Sequence, residues 1–293
     1  MYFLAVDGVL VIFMCTHVDD LIWAAKPEYR HIVKEILAIF SIKMLNQGPT
    51  YRFCGREIEQ LPDKSIKVTC KANAEKILPI NFHSGDRTDE DDATEGERKQ
   101  LESVVGSLVY VARQAHIWML YDTSKLQSVT KCARVKHLIY ANILVAECAS
   151  QSDEGLFYTS FAFDWKKKAV LSIGDASWAG ETKVEEGGKP LDCRFFPRRS
   201  QYGRINLLAG EEIFDDIMAK VHGHFISAKS SLIRRLCGST CRAETHGQMK
   251  STGQGDYMSS SGGTHRSPSK GRLGRCRKFF TQAAEVDRLR VGK

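Results

Sequence analysis

The chain has 293 residues, 43% of them hydrophobic and 26% charged, which excludes a fibrous or wholly disordered protein and leaves room for two modest domains. Its formal charge of +7 belongs to one end, because residues 262–293 carry nine basic and two acidic side chains; the charge of the body therefore gives no argument for nucleic-acid binding. The nine cysteines are scattered without a CxxC or Cys/His finger spacing and predict reduced thiols in an intracellular protein, cytoplasmic or nuclear.

The apolar start, MYFLAVDGVLVIFMC, lacks the basic region and cleavage site of a signal peptide, and no stretch reaches the roughly 18 apolar residues of a membrane span. Residues 9–16 predict a strand, 17–20 a polar tip and 21–24 a second strand, with Asp7 as a turn residue at the foot. Pro27 opens a helix in which Ile32, Ile36, Ile39 and Phe40 recur at helical spacing. The segment 50–70, TYRFCGREIEQLPDKSIKVTC, alternates as two strands about a Pro-Asp turn, and 72–78 reads as a short helix.

Residues 86–97 hold seven acidic side chains and one arginine, which predicts a solvated linker. Beyond it Leu101, Val104, Val105, Leu108, Val109 and Ala112 share a helical face, and 124–149 shows a second, longer helical pattern. From Gly155, the segments GLFY, KKAVLSIGDASWAG, LDCRFF and GRINLLA predict successive strands of one small sheet. A helix over 211–221, a strand over 224–236 and a helix from Ser239 follow. This order gives an α/β fold of the α+β kind. After Met249 the Ser, Gly, Lys and Arg content predicts disorder.

Two constellations bear on chemistry. In CTHVDDLIWA, Asp19 and Asp20 are adjacent carboxylates at a hairpin tip; they repel each other unless both face water or a cation neutralises them. Taken alone, a water-exposed turn is the plainer reading, but the apolar strands on either side would hold the tip as rigidly as a metal site requires. The second pair is Asp175, at the end of an apolar strand, and Glu244, on a helix that Ser239 would cap.

HVDD in this setting resembles the YxDD motif of reverse transcriptases, with His17 in place of tyrosine. The following FSIK, FCGREIEQ, AEKILPI, LESVVGSLVYVARQ and SKLQS are similar, in order, to the Pol polyprotein of copia-type LTR retrotransposons. DASWAG, RRSQYGRIN, Ser227-Ala228-Lys229 and GSTCRAETHGQ resemble its ribonuclease H segment, so the likeness covers roughly residues 8–249. The resemblance implies a partial reverse-transcriptase palm and thumb at 1–85, the acidic linker at 86–97 and a helical connection at 98–150. A truncated ribonuclease H-like mixed sheet would occupy 151–249, and a disordered basic tail 250–293.

By the same resemblance Asp19 and Asp20 would be palm Mg²⁺ ligands, and Asp175 and Glu244 the first two carboxylates of a ribonuclease H site. The partners implied are an RNA or DNA template-primer and an RNA–DNA hybrid. The sequence also departs from the family. The palm's further aspartate is upstream of the hairpin in the family and is not in these 293 residues. The third ribonuclease H aspartate has no counterpart, since Asp256 stands in a polar stretch, and HIWML at 116–120 replaces a helix-breaking segment. These departures imply a broken copy of the transposable element, inactive in polymerisation and hybrid cleavage. The alternative is a non-catalytic nucleic-acid binder that uses the connection helices and the tail around Arg272, Arg275, Arg277 and Lys278.

Overall fold

The structure is a computed structural model that describes residues 1–18, 20–39, 48–83, 85–160, 164, 167–177, 200–215, 222–233, 243–245 and 247–250. The fold is α+β, and all three sheets of the described residues are antiparallel. The sheet expected to be mixed therefore contains no parallel pair among them. LDCRFF, Phe40, Ser239, Asp256 and the basic tail lie outside the described residues.

The first sheet runs β1 (Tyr2–Val6), β2 (Val9–His17) and β3 (Asp20–Ala25), in that spatial order. Asp7 and Gly8 turn β1 into β2 with φ of 50° and 76°, the two left-handed residues that a two-residue hairpin loop demands. Strand β1 has no signal in the sequence pattern, because its apolar run does not alternate with polar residues. After a 3-10 turn at Pro27–Tyr29, helix α1 (Arg30–Ile39) lays Val33 and Leu37 against Val11, Ile12 and Met14. Ile39, expected on the buried face, is instead 80% exposed.

Residues 50–70 form three strands rather than two: β4 (Thr50–Phe53), β5 (Arg56–Gln60) and β6 (Ile66–Thr69). The additional turn is Cys54-Gly55, again with both φ positive, at 51° and 73°. Helix α2 (Lys71–Ala74) follows. The fourth strand of this sheet is β7 (Gly155–Tyr158), which pairs with β6. GLFY thus joins the second sheet and not the later one that its position in the sequence suggests.

The main core lies among α3 (Glu95–Gln114), α4 (Leu120–Val129) and α5 (Val135–Ser150), where Leu101, Leu108, Leu126 and Leu138 are buried. The long helix expected over 124–149 is broken, since Ala133 and Arg134 are extended and α5 starts afresh after them. The acidic stretch 86–97 is not a free tether. Thr94 and Glu97 form a capping box that starts α3, and Arg87 holds Glu97 at 2.7 Å. Glu90 bridges Arg134 and Lys136, while Val135 N–H donates to Asp91 O at 3.0 Å. Charges expected to be solvated are partners of the α5 start.

The third sheet has β8 (Lys168–Ser177), β9 (Gln201–Gly210) and β10 (Gly223–Leu232) in spatial order β10-β9-β8. One face meets α4, where the Gln201 amide donates to Ser124 and Ser230 at 3.1 and 2.7 Å. Residues 243–245 and 247–250 are helical and cover part of the other face. The helix expected over 211–221 begins as a 3-10 turn, Glu211–Phe214, and 216–221 lie outside the described residues.

Cys15, Cys54, Cys70 and Cys148 are free, whereas Cys132 is disulfide-bonded. The expectation of reduced thiols fails at Cys132, because a disulfide depends on the spatial approach of two sulfurs, which spacing along the chain does not report. Among the described residues no helix is long and apolar enough to cross a membrane.

Candidate functional site

The first candidate is the β2–β3 tip. His17 pairs with Asp20 where β2 and β3 meet the tip. Asp19 lies outside the described residues. Val18 is 88% exposed with φ of 50°, a conformation in which a β-branched side chain is strained by about 1–2 kcal/mol. Asp20 is exposed, and its Oδ2 accepts a long hydrogen bond of 3.4 Å from Cys54 N–H.

That contact comes from the β4–β5 turn, which is itself fixed from two helices. The Tyr110 hydroxyl of α3 donates to Cys54 O at 2.8 Å, and the Asn73 amide of α2 donates to Gly55 O at 2.6 Å. Burial raises the Tyr110 phenol above its ordinary value and keeps it a donor. Sequence reasoning missed this clamp. Its one local signal was Cys-Gly between two alternating runs, a turn dipeptide that the Pro-Asp pair nearby overshadowed.

The second candidate is the end of β8. Asp175 is exposed, pairs with Gly203 on β9, and its Oδ1 accepts the Ala176 N–H at 2.8 Å. Glu244 is exposed on the last helical segment. That segment packs on β8 through Ala243, which shares a small core with Ala176, Tyr202 and Ile233. A Cβ built on Gly247 would stand 3.3 Å from the Ala176 Cβ, so glycine is what lets helix and strand approach.

The two segments meet through Ala176 and Ala243. Successive side chains of a strand point to opposite sides, so Ala176 faces the helix and Asp175 faces away from it.

A two-Mg²⁺ centre needs several carboxylates converging on ions a few ångströms apart. Among the described residues no group of three or more His, Cys, Asp or Glu is placed to hold a metal. The described carboxylates thus do not fit a two-metal site, and no catalytic step is derived through one.

One groove, of about 430 Å³, runs between α2 and α3 and is lined by Asn73, Lys76, Ile77, Glu102, Ser103 and Tyr110. It contains neither carboxylate pair. No family model, curated protein or solved structure matches the chain.

Proposed function

We propose that the chain is a segment of a copia-type Pol protein, running from the end of the reverse transcriptase into the ribonuclease H domain, with neither catalytic centre complete within it. The observation that supports this most is the connectivity of the third sheet. In a three-stranded antiparallel sheet Asp175, Ala176 and Ser177 end β8, and the segment bearing Glu244 packs back on that strand through Ala243. The HVDD hairpin in a sheet backed by α1 adds to it, since the order of motifs along the chain agrees with the order of these elements.

In this proposal Asp19, Asp20, Asp175 and Glu244 descend from Mg²⁺ ligands, and the ancestral substrates are a template-primer and an RNA–DNA hybrid. Each centre would need carboxylates beyond those the chain supplies, because in-line phosphoryl transfer requires both the attacking and the leaving oxygen to be held by metal. The isolated protein is expected to extend no primer on an RNA template and to cut no hybrid in Mg²⁺. Incorporation that Asp20→Asn abolishes would overturn the inactivity. Reading the flanking genomic DNA in all frames tests the ancestry. Coding remnants of the upstream fingers, or of the rest of the ribonuclease H domain, support it, and flanks without either refute it.

A further inference from the structure

Arg204 of β9, Lys229 of β10 and Lys250 of the last helical segment lie near one buried phenol, that of Tyr202. Arg204 and Lys229 face each other directly across the antiparallel pair, with Gly174 as the other neighbour of Arg204. Like charges placed opposite one another in a sheet repel, and such a pair is retained at a cost. The Lys250 Nζ lies over the Tyr202 ring at 4.8 Å, and Arg204 Nη1 donates to Lys250 O at 3.0 Å. All of these groups lie on the face that the last helical segment borders, because Tyr202 and Arg204 are two residues apart on β9.

The chemistry of the patch is one-sided. Neither Lys229 nor Lys250 has a carboxylate partner among the described residues, although ion pairs are frequent elsewhere in the chain. Tyr202 is only 2% exposed. Burial alone would raise its phenol, yet the Ser231 hydrogen bond and the charges of Lys229, Lys250 and Arg204 together pull it below the ordinary tyrosine value. Lys229 and Lys250 are exposed and reach solvent at the rim of the patch.

We propose that Lys229, Lys250 and Arg204 form an oxyanion site that takes a phosphate group on the β9–β10 face. Three cations near one phenol suit a tetrahedral dianion or a backbone phosphodiester, and charge-assisted hydrogen bonds from lysine and arginine are the strong ones. The inference rests on the geometry of these residues and stands whether or not the chain descends from a Pol protein. It is also separate from the carboxylate at Asp175, which faces the other side of β8.

The full chain is titrated with a labelled RNA–DNA hybrid across a series of salt concentrations, and separately with inorganic phosphate followed by phosphorus NMR line width. For the hybrid, Lys229→Ala with Lys250→Ala is expected to flatten the logarithmic salt dependence by about 1.8, roughly 0.9 for each phosphate that is no longer neutralised. Lys99→Ala, which removes a lysine paired with Glu95, is expected to leave the slope as it was. A slope change without phosphate broadening assigns the site to a polymer backbone, and broadening that disappears only in the double variant assigns it to a free oxyanion. An unchanged slope together with unchanged line widths refutes the site, and equal thermal midpoints of variant and parent show that the comparison is between folded proteins.

Discussion

Glu97 does two things at once: it closes the capping box of α3 by accepting the Thr94 N–H at 2.7 Å, and it takes the Arg87 guanidinium at 2.7 and 3.1 Å. Arg87 first, against the opposing effect of burial, and then the Thr94 bonds hold its carboxyl down at about 2. A carboxyl depressed in the folded state stabilises above the ordinary glutamate value and loses that contribution as pH falls through the folded one. Glu97→Gln should thus lower stability by about 2 kcal/mol near neutrality and by progressively less as acid protonates the parent. Denaturant melts at several pH values check this. His137 has the same sign for a different reason. Burial first, then Lys136 and Arg134, lower it to about 4, and its Nδ1 accepts the Arg134 N–H at 2.9 Å. The unfolded chain takes up this proton first, near 6.5, so stability is full above that value and drains as pH falls to about 4. His137→Gln, which keeps an acceptor without titrating, should flatten the profile between those limits. At the hairpin tip, Val18→Gly should raise the melting midpoint, since glycine adopts a φ of 50° without the strain of about 1–2 kcal/mol that valine carries.

Elements show where the sequence was legible. Strands β2 and β3 follow short apolar runs on either side of a polar tip, helices α1 and α3 follow a period of 3.6, and they formed where the pattern placed them. The partner of a strand is another matter. GLFY reads as a strand, but its place beside β6 depends on pairing between segments far apart in the chain, for Lys67 pairs with Phe157 and Thr69 with Gly155. The same limit hid the face-to-face placement of Arg204 and Lys229, which register alone creates, and the side of β8 on which Asp175 falls relative to Ala243. Thr94-x-x-Glu97 was different: its capping-box spacing was in plain view, and the density of acidic residues around it drew attention away. The pairing of β7 makes a direct prediction. A Cβ on Gly155 would fall inside van der Waals contact of Val68 O. Gly155→Ala should therefore push β7 off β6 and cost upward of about 2 kcal/mol, more than the few tenths typical of a surface substitution. A near-neutral melt would place GLFY elsewhere.

Across the whole molecule, buried side chains fall into separate cores rather than one. The largest joins α3, α4 and α5 with Cys70, Ala74 and Ile80, while the first sheet closes its own small core with α1. Stability is uneven in such an arrangement, because opening a unit costs only the contacts that unit makes. Strand β1 is the weak point. It is an edge strand, and Tyr2 and Phe3, on its two faces, are 64% and 70% exposed, with Val9 and Leu10 of β2 also open at 49% and 54%. An edge that offers unpaired backbone groups and apolar side chains together invites another chain to pair with it. The purified protein should accordingly associate as its concentration rises, and Phe3→Lys, a charge placed on that edge, should suppress the association without moving the hydrogen-exchange protection of α3. Analytical ultracentrifugation over a concentration series reads the first effect and amide exchange the second. If Phe3→Lys leaves the sedimentation profile unchanged, the self-association, where present, comes from another surface and β1 is not the edge that drives it.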